Sequence, residues 1–116
     1  MMDSEAGQAI AVTRITECLG DGSTHLDLSR LRLSTVPGSL AQLTALERLN
    51  LGGNQLTVLP KSLRNLTALE SLDLYGNQLT VLPEWLGNLT ALTGLNLDGN
   101  HLTALPESLR NLIDVD

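Results

Sequence analysis

The sequence contains no phenylalanine, and because tyrosine and tryptophan occur once each, aromatic residues make up only 2% of its 116 positions. The apolar core must therefore be almost entirely aliphatic, and leucine is by a wide margin the commonest residue type. A single cysteine, Cys18, excludes an internal disulfide and lacks the partners of a metal cluster. An apolar content of 42% excludes disorder, while regularly spaced proline and glycine exclude a coiled coil or a transmembrane bundle.

Positive charge is also scarce, since 7 Lys and Arg residues face 13 Asp and Glu residues and give a net charge of −6. This balance disfavours nucleic acid and anionic membrane surfaces as partners, and a neutral or basic partner fits better. The N terminus has neither a basic segment nor an apolar run of secretory length, and no later run is long enough to span a membrane. We therefore predict a cytoplasmic protein.

Self-comparison reveals a 23-residue period, which decides the fold before any local propensity is considered. Residues 47–69 and 70–92 agree at 17 of 23 positions, and seven apolar positions recur in every unit. Of the 28 positions in this scheme 26 hold leucine, and the other two hold Val36 and Val115. The predicted organisation is one continuous domain with a cap at 1–23 and four repeats at 24–46, 47–69, 70–92 and 93–115.

The spacing within a unit predicts one coil of a solenoid. Leu72-Asp73-Leu74 alternates with a period of two, which is typical of a short strand with its leucines facing inward. Gly76 and Asn77 then form a turn, and leucines spaced by three and four around a proline indicate a short helical or 3₁₀ segment. Stacked coils predict a short right-handed α/β solenoid with a parallel β-sheet on its concave face.

Three asparagines at equivalent positions, Asn54, Asn77 and Asn100, are expected to lie one above another. An unpaired buried amide costs about 1–3 kcal/mol, so each should bond to the backbone of its own and neighbouring coils as a structural ladder. The pattern Leu-x-x-Leu-x-Leu-x-x-Asn-x-Leu, from Leu69 to Leu79, resembles the leucine-rich repeat. The segment from Leu82 to Leu92 is similar to the 23-residue intracellular subtype of Ras-suppressor-like and bacterial proteins. For function, the resemblance implies a binding scaffold with very diverse partners.

The first coil departs from this pattern, because Leu31 stands where the later coils have asparagine. We expect residues 4–19 to cover it as an amphipathic helix that ends at Gly20-Asp21-Gly22. A membrane-binding helix is the alternative, but its polar face carries only one basic residue. The predicted apolar face comprises Ala11, Val12, Ile15, Cys18 and Leu19.

Side chains between the inward leucines form three rows on the concave face. The rows are His25-Arg48-Ser71-Gly94, Asp27-Asn50-Asp73-Asn96 and Ser29-Gly52-Tyr75-Asp98. Tyr75 is the only large aromatic residue on this face, and exposed aromatics are common binding anchors. The predicted partner-binding residues are Arg48, Tyr75 and Asp73, with Asn50 and Asp98 around them.

Catalytic and metal chemistry are not favoured. His25, Asp27 and Ser29 include the residue types of a nucleophilic triad, but alternate residues of one strand lie about 7 Å apart in a line. His25 and His101 belong to different parts of their coils, and no carboxylate lies in a calcium-loop motif. We therefore expect neither an enzyme, nor a metal, nor a cofactor.

The function expected is a non-enzymatic scaffold that binds a protein or peptide through the concave face. The alternative is a self-assembling structural unit or a fragment of a larger signalling protein, such as one with a kinase or GTPase domain. Trp85, at a position where other coils have serine, either folds back on the core or marks a second contact surface. The last strand, with an expected unpaired edge at 94–97, and the apolar end at 109–115 predict an end-to-end homodimer or a longer parent chain.

Overall fold

Three-residue strands recur at the 23-residue interval. A computed structural model describes residues 3–110 and 114–115 and contains the strands β1 (His25–Asp27), β2 (Arg48–Asn50), β3 (Ser71–Asp73) and β4 (Gly94–Asn96). They pair in sequence order as a parallel sheet. The register places the central leucines Leu26, Leu49, Leu72 and Leu95 side by side, and all four are buried.

The opposite side of each coil is a short 3₁₀ helix, as the proline and the spacing of the leucines indicate. These helices are η1 (Gly38–Gln42), η2 (Lys61–Asn65) and η3 (Glu84–Asn88), and each follows a proline at its N-cap. The carbonyl of Pro60 accepts a bond of 3.1 Å from the Leu63 N–H, and the other two coils repeat this contact. Proline starts these segments well because its ring presets φ and it has no N–H to leave unpaired.

Leucine fills the space between the sheet and the 3₁₀ helices. Among the described residues, the buried apolar side chains are 24 leucines together with Ala11, Ile15 and Cys18, and they form one continuous cluster. Burying one leucine side chain contributes about 1.5–3 kcal/mol, so the repeat itself supplies the hydrophobic stabilisation of the fold.

The turn after each strand requires a left-handed residue. Gly53, Gly76 and Gly99 have φ angles of 70°, 69° and 77° at this position. In the first coil Arg30 occupies the equivalent place with φ 57°, and Arg32 also has φ 57°. A left-handed conformation costs a residue with a Cβ about 1–2 kcal/mol, so the first coil is locally strained where the others are not.

The helix α1 (Ser4–Asp21) precedes the first coil. Asp3 caps it by accepting a 2.8 Å bond from the Ala6 N–H, and Gly22 ends it in a left-handed conformation with φ 71°. The described helices include none that is long and apolar enough to cross a membrane.

The buried face of α1 differs from the predicted one. It comprises Gly7, Ala11, Ile15 and Cys18, whereas Val12 and Leu19 are 46% and 49% exposed, so their assignment to the buried face was wrong. A Cβ at Gly7 would collide with the carbonyl oxygen of Leu31. Close approach at Gly7 therefore turns the helix so that this narrow line of residues, and not the full apolar stripe, faces the coil.

Contacts of α1 with β1 and η1 cover the open end of the first coil. The side-chain amide of Gln8 donates a 2.7 Å bond to the carbonyl of Thr35, and the Arg14 guanidinium donates a 2.9 Å bond to the carbonyl of Asp27. These bonds fix the helix on the coil at both edges of its apolar contact.

The C-terminal end also differs from the prediction. The chain forms a one-turn helix, α2 (Glu107–Arg110), and a strand, β5 (Asp114–Val115), which pairs in parallel with Gly94 and Leu95 of β4. The expected unpaired edge at the start of 94–97 is therefore wrong. Earlier strand partners are one full period apart, but Val115 lies beside Leu95 at a shorter separation along the chain. The last coil is thus shorter than the repeat, and Val115 is not its last repeat position.

The helical turn of α2 packs against η3, and a glycine permits the close approach. A Cβ at Gly87 would come within 2.6 Å of the Ser108 hydroxyl oxygen. The apolar pair Leu112 and Ile113, on which the predicted dimer contact also depends, lies outside the described residues. The dimer prediction therefore no longer rests on a free edge at Gly94 and Leu95.

Candidate functional site

A shallow depression of 410 Å³ lies on the concave face over β1, β2 and β3. It brings together three of the predicted partner-binding residues, Arg48, Asn50 and Asp73, with His25 and Ser71 beside them. The other two predicted residues, Tyr75 and Asp98, follow β3 and β4 and lie outside this lining. The predicted residues therefore extend from the depression toward the carboxyl ends of the strands.

The central row of this face has a structural role that the sequence analysis missed. Each aspartate or asparagine in it accepts a hydrogen bond through Oδ1 from the backbone N–H two residues later, which is an Asx turn. The bonds are Asp27 to Ser29 at 2.9 Å, Asn50 to Gly52 at 2.8 Å, Asp73 to Tyr75 at 2.9 Å and Asn96 to Asp98 at 3.0 Å. The recurrence of Asp or Asn two residues before the turn was the available signal.

These bonds use only one of the two terminal atoms in each side chain. Asp73 keeps its second carboxylate oxygen and Asn50 keeps its amide NH₂. Asp73 is thus a hydrogen-bond acceptor held in a fixed orientation, and Asn50 is a donor held in the same way.

His25, Asp27 and Ser29 do not have the geometry of a triad. The Ser29 hydroxyl donates a 2.6 Å bond to Asp27, while the His25 Nδ1 lies 3.2 Å from the Thr24 hydroxyl. The hydroxyl of Ser29, and next its backbone N–H, lower the pKa of Asp27. Among the described residues, Asp27 therefore accepts from the serine and His25 bonds to Thr24, whereas a triad would need the carboxylate to bind the imidazole.

Tyr75 is 55% exposed, and its ring edge lies near Gly99 of the next coil. A Cβ at Gly99 would lie 3.7 Å from its Cε2 atom. On the other side, Gly52 in the same row is buried, and a Cβ there would lie 3.1 Å from the Asn50 Oδ1 and 3.4 Å from the Tyr75 carbonyl oxygen. The ring of Tyr75 thus lies between coils that have glycines, Gly52 and Gly99, next to it, and it stays more than half exposed.

Charge changes sign along the solenoid. Residues 24–69 contain five Lys or Arg residues and two acidic residues, whereas residues 70–116 contain one arginine and seven acidic residues. On the concave face the exposed Arg48 belongs to the basic half, and Asp73 and Asp98 belong to the acidic half. A ligand that crosses the strands therefore meets positive charge first and negative charge second.

The asparagine ladder is structural. Asn54 and Asn77 are buried, and Asn100 is half-buried. Each side chain accepts an N–H bond of 3.0 Å from the preceding coil. Each also donates to a carbonyl of the preceding coil and to one of its own. These amides join successive coils and leave no free group for a ligand.

The described residues contain no group of three or more His, Cys, Asp or Glu side chains placed to hold a metal ion. Cys18 is buried, and its thiol donates a 3.3 Å bond to the carbonyl of Ser23. Burial, and secondly the carboxylate of Asp21, raise the pKa of this thiol. Cys18 is therefore a protonated packing residue at neutral pH and not a nucleophile.

Comparisons with known proteins agree with this geometry. A family model described as Leucine Rich repeats (2 copies) matches residues 44–84 and 67–111. No curated protein matches the chain. Among solved structures, the LRR domain of a Shigella effector is 37% identical with a TM-score of 0.73 over 84% of this chain. An LRR protein of Leptospira interrogans is 35% identical with a TM-score of 0.64 over 73% of it. The chain spans 41% and 23% of those two proteins.

Proposed function

Because this chain belongs to the leucine-rich repeat family, we propose that it is a non-enzymatic scaffold that binds a protein or peptide through its concave face. The family generally serves as an interaction scaffold, while the partner is chosen by side chains displayed on the common fold. This proposal rests on the exposed side chain of Tyr75, which follows β3 and is held through its backbone N–H by Asp73.

Tyr75 has the properties of a binding anchor. Its backbone N–H is bonded to Asp73, so the backbone at this position needs little further ordering when a partner covers the side chain. Tyrosine is enriched among residues that dominate binding energy, because it offers a large apolar face and a hydroxyl.

Charge indicates the chemistry of the partner. A lysine or arginine placed over Tyr75 would gain a cation–π contact and lie near the carboxylates of Asp73 and Asp98. Arg48 favours an acidic or neutral group on the other side, and Asn50 offers its NH₂ to a backbone carbonyl. We propose a peptide whose basic residue lies over the third and fourth coils.

The test is the affinity of a peptide selected from a displayed random library, measured by calorimetry. Tyr75→Ala and Arg48→Ala should each weaken binding about tenfold or more, with an unchanged melting temperature. Thr90→Ala, at an exposed position outside the concave rows, is the matched control and should bind like wild type. Loss of binding only in Trp85→Ala would contradict the assignment to the concave face.

The size of the face supports a second candidate, self-association or a place in a larger signalling protein. Strands spaced about 4.8 Å apart give a face only about 20 Å wide, which is small against the roughly 800 Å² per partner of a standard interface. The homodimer through 94–97 and 109–115 stays a prediction, and light scattering over a range of concentrations tests it. A cytoplasmic location, and the absence of cofactor, nucleic acid and membrane partners, also remain predictions from the sequence.

A further inference from the structure

A second concavity lies away from the concave sheet, between the first and second coils. It has a volume of 340 Å³, and we call it the flank groove. Val36, Val58 and Pro60 give the groove an apolar lining, and Ser62 and the exposed Lys61 also line it. Val58 is 62% exposed, which is high for an aliphatic side chain. None of these residues belongs to the three concave rows, so the groove is separate from the proposed peptide face.

Ser62 carries an unsatisfied polar atom. Within the described part of the chain, its Oγ is the one buried side-chain oxygen or nitrogen without a hydrogen-bond partner. Buried polar groups in native proteins almost always have a partner, so an orphan hydroxyl requires an explanation. Because this atom has almost no accessible surface, it lies beneath the floor of the groove and is not itself a contact for a ligand.

The next coil shows which side chain suits this place. Trp85 follows Ser62 by one full period of the repeat, and its indole is half-buried and packed against the leucine core. Serine at position 62 leaves the corresponding space of the second coil without an aromatic ring. The mouth is also open, because a Cβ at Gly38, where the later coils have Lys61 and Glu84, would meet nothing within 4 Å.

We propose that the flank groove binds a tryptophan side chain presented by a partner peptide, with a carboxylate beside it. The volume is at the small end of the roughly 300–1,000 Å³ of ligand pockets, which suits one large side chain better than a cofactor. The indole ring packs against Val36, Val58 and Pro60, at the repeat position where the next coil has Trp85. The ammonium of the exposed Lys61 selects the neighbouring carboxylate.

The test uses the full chain and an acetylated, amidated Trp-Asp dipeptide, followed by amide chemical shifts in two-dimensional NMR. Saturable shifts at Thr35, Val58 and Ser62 are expected, with a Kd on the order of 1 mM because a single side chain is buried. The matched Ala-Asp dipeptide should cause no saturable shift. Absence of saturation with Trp-Asp, or shifts centred on Arg48 and Tyr75, would overturn the proposal.

Two substitutions distinguish binding in the flank groove from a general effect of mutation on folding. Ser62→Trp fills the groove with an indole in the manner of Trp85 and should weaken dipeptide binding at least about tenfold. Trp85→Ser should open an equivalent groove in the next coil and add a second set of shifts around Val81. Unchanged binding in a folded Ser62→Trp protein would refute the site.

Lys61→Glu tests the role of this charge without altering the core, because Lys61 is exposed. The variant should lose affinity for Trp-Asp and gain it for Trp-Lys, and an unchanged preference would contradict the role of Lys61. If the amide chemical shifts of the groove residues change with protein concentration in the absence of dipeptide, a second copy of the chain occupies the groove. That result would overturn the proposal of a partner peptide.

Discussion

Replacement of the ladder asparagines by alanine, one at a time, is expected to destabilise the protein in the order Asn54, Asn77, Asn100. The three side chains have the same place in the repeat but different numbers of dependent backbone groups. The difference arises because a backbone carbonyl between two ladder asparagines, such as that of Leu51 or Leu74, accepts from both side chains. Each backbone N–H group, in contrast, donates to only one asparagine.

Asn77 illustrates the shared case. Its NH₂ donates to the carbonyls of Leu51 and Leu74, which also receive bonds of 2.9 Å and 2.8 Å from Asn54 and Asn100. Asn77→Ala therefore leaves both carbonyls with a partner and strands only the Leu56 N–H. One orphaned buried donor corresponds to a loss of about 1–3 kcal/mol.

Asn54 is at the end of the ladder, where Leu31 replaces the next asparagine. Its Oδ1 accepts from two N–H groups, those of Leu31 and Leu33, each at 3.0 Å. Among the described residues no second side chain bonds to the Leu28 carbonyl, to which Asn54 donates. Asn54→Ala thus strands two donors and weakens one acceptor, which predicts a loss of about 2–6 kcal/mol.

Asn100→Ala strands the Leu79 N–H, and among the described residues it also removes the one side-chain donor to the Leu97 carbonyl. Asn100 is half-buried, so water compensates much of this loss and about 1 kcal/mol or less is expected. The measurement is urea denaturation with an unchanged m-value. Gln55→Ala, with an exposed side chain beside the ladder, is the control and should lie within about 0.5 kcal/mol of wild type. Equal losses in all three variants, or the largest loss at Asn100, would refute the shared-carbonyl argument. If Asn54→Ala does not fold, that outcome agrees with its larger expected loss, and the comparison of Asn77 with Asn100 then tests the effect of burial.

Three further outcomes are expected. Leu72→Ala, which removes a buried strand leucine, should lower the free energy of unfolding by about 2–5 kcal/mol in denaturant titrations. Gly7→Ala should lower the melting temperature because its Cβ would collide with the Leu31 carbonyl, and an unchanged value would contradict the close approach of α1. The lowered pKa of Asp27 stabilises the fold above the ordinary aspartate range near pH 4, and this contribution is lost as pH falls through the lowered pKa. Asp27→Asn keeps an Asx-turn acceptor and should reduce the loss of stability between pH 5 and pH 2, measured by thermal melts at about one-unit steps.

The interior of the solenoid was predictable because each coil has near-identical neighbours. The spacing of leucine and proline predicted a parallel sheet backed by short 3₁₀ segments, and the strands recur at the expected 23-residue interval. Once the position of one residue in a coil is predicted, the equivalent residues of the other stacked coils are predicted to have the same environment. The pattern therefore contains the tertiary information that most sequences lack.

The candidate site was less accessible to this reasoning. The period indicates that Asp73 and Asn50 belong to one row, but not that each gives an oxygen to an Asx turn and keeps a single group for a ligand. The orphan hydroxyl of Ser62 was also missed, since an unsatisfied atom depends on every group that surrounds it. The one signal available in the sequence was that the third coil has Trp85 at the repeat position where the second coil has Ser62.

The errors concentrate at the two ends, where a coil has a different kind of neighbour. At the N terminus, the apolar stripe of α1 suggested that Val12 would be buried, but the fit of Gly7 against Leu31 turned the helix away from it. At the C terminus, the fit of Gly87 against Ser108 accompanies a helical turn and a strand that returns before a full period is complete. Both contacts join one glycine to a segment outside the interior repeats, so the periodicity contains no information about them. The same reasoning indicates that substitutions at these glycines will alter the ends of the solenoid without changing the register of β1 to β4.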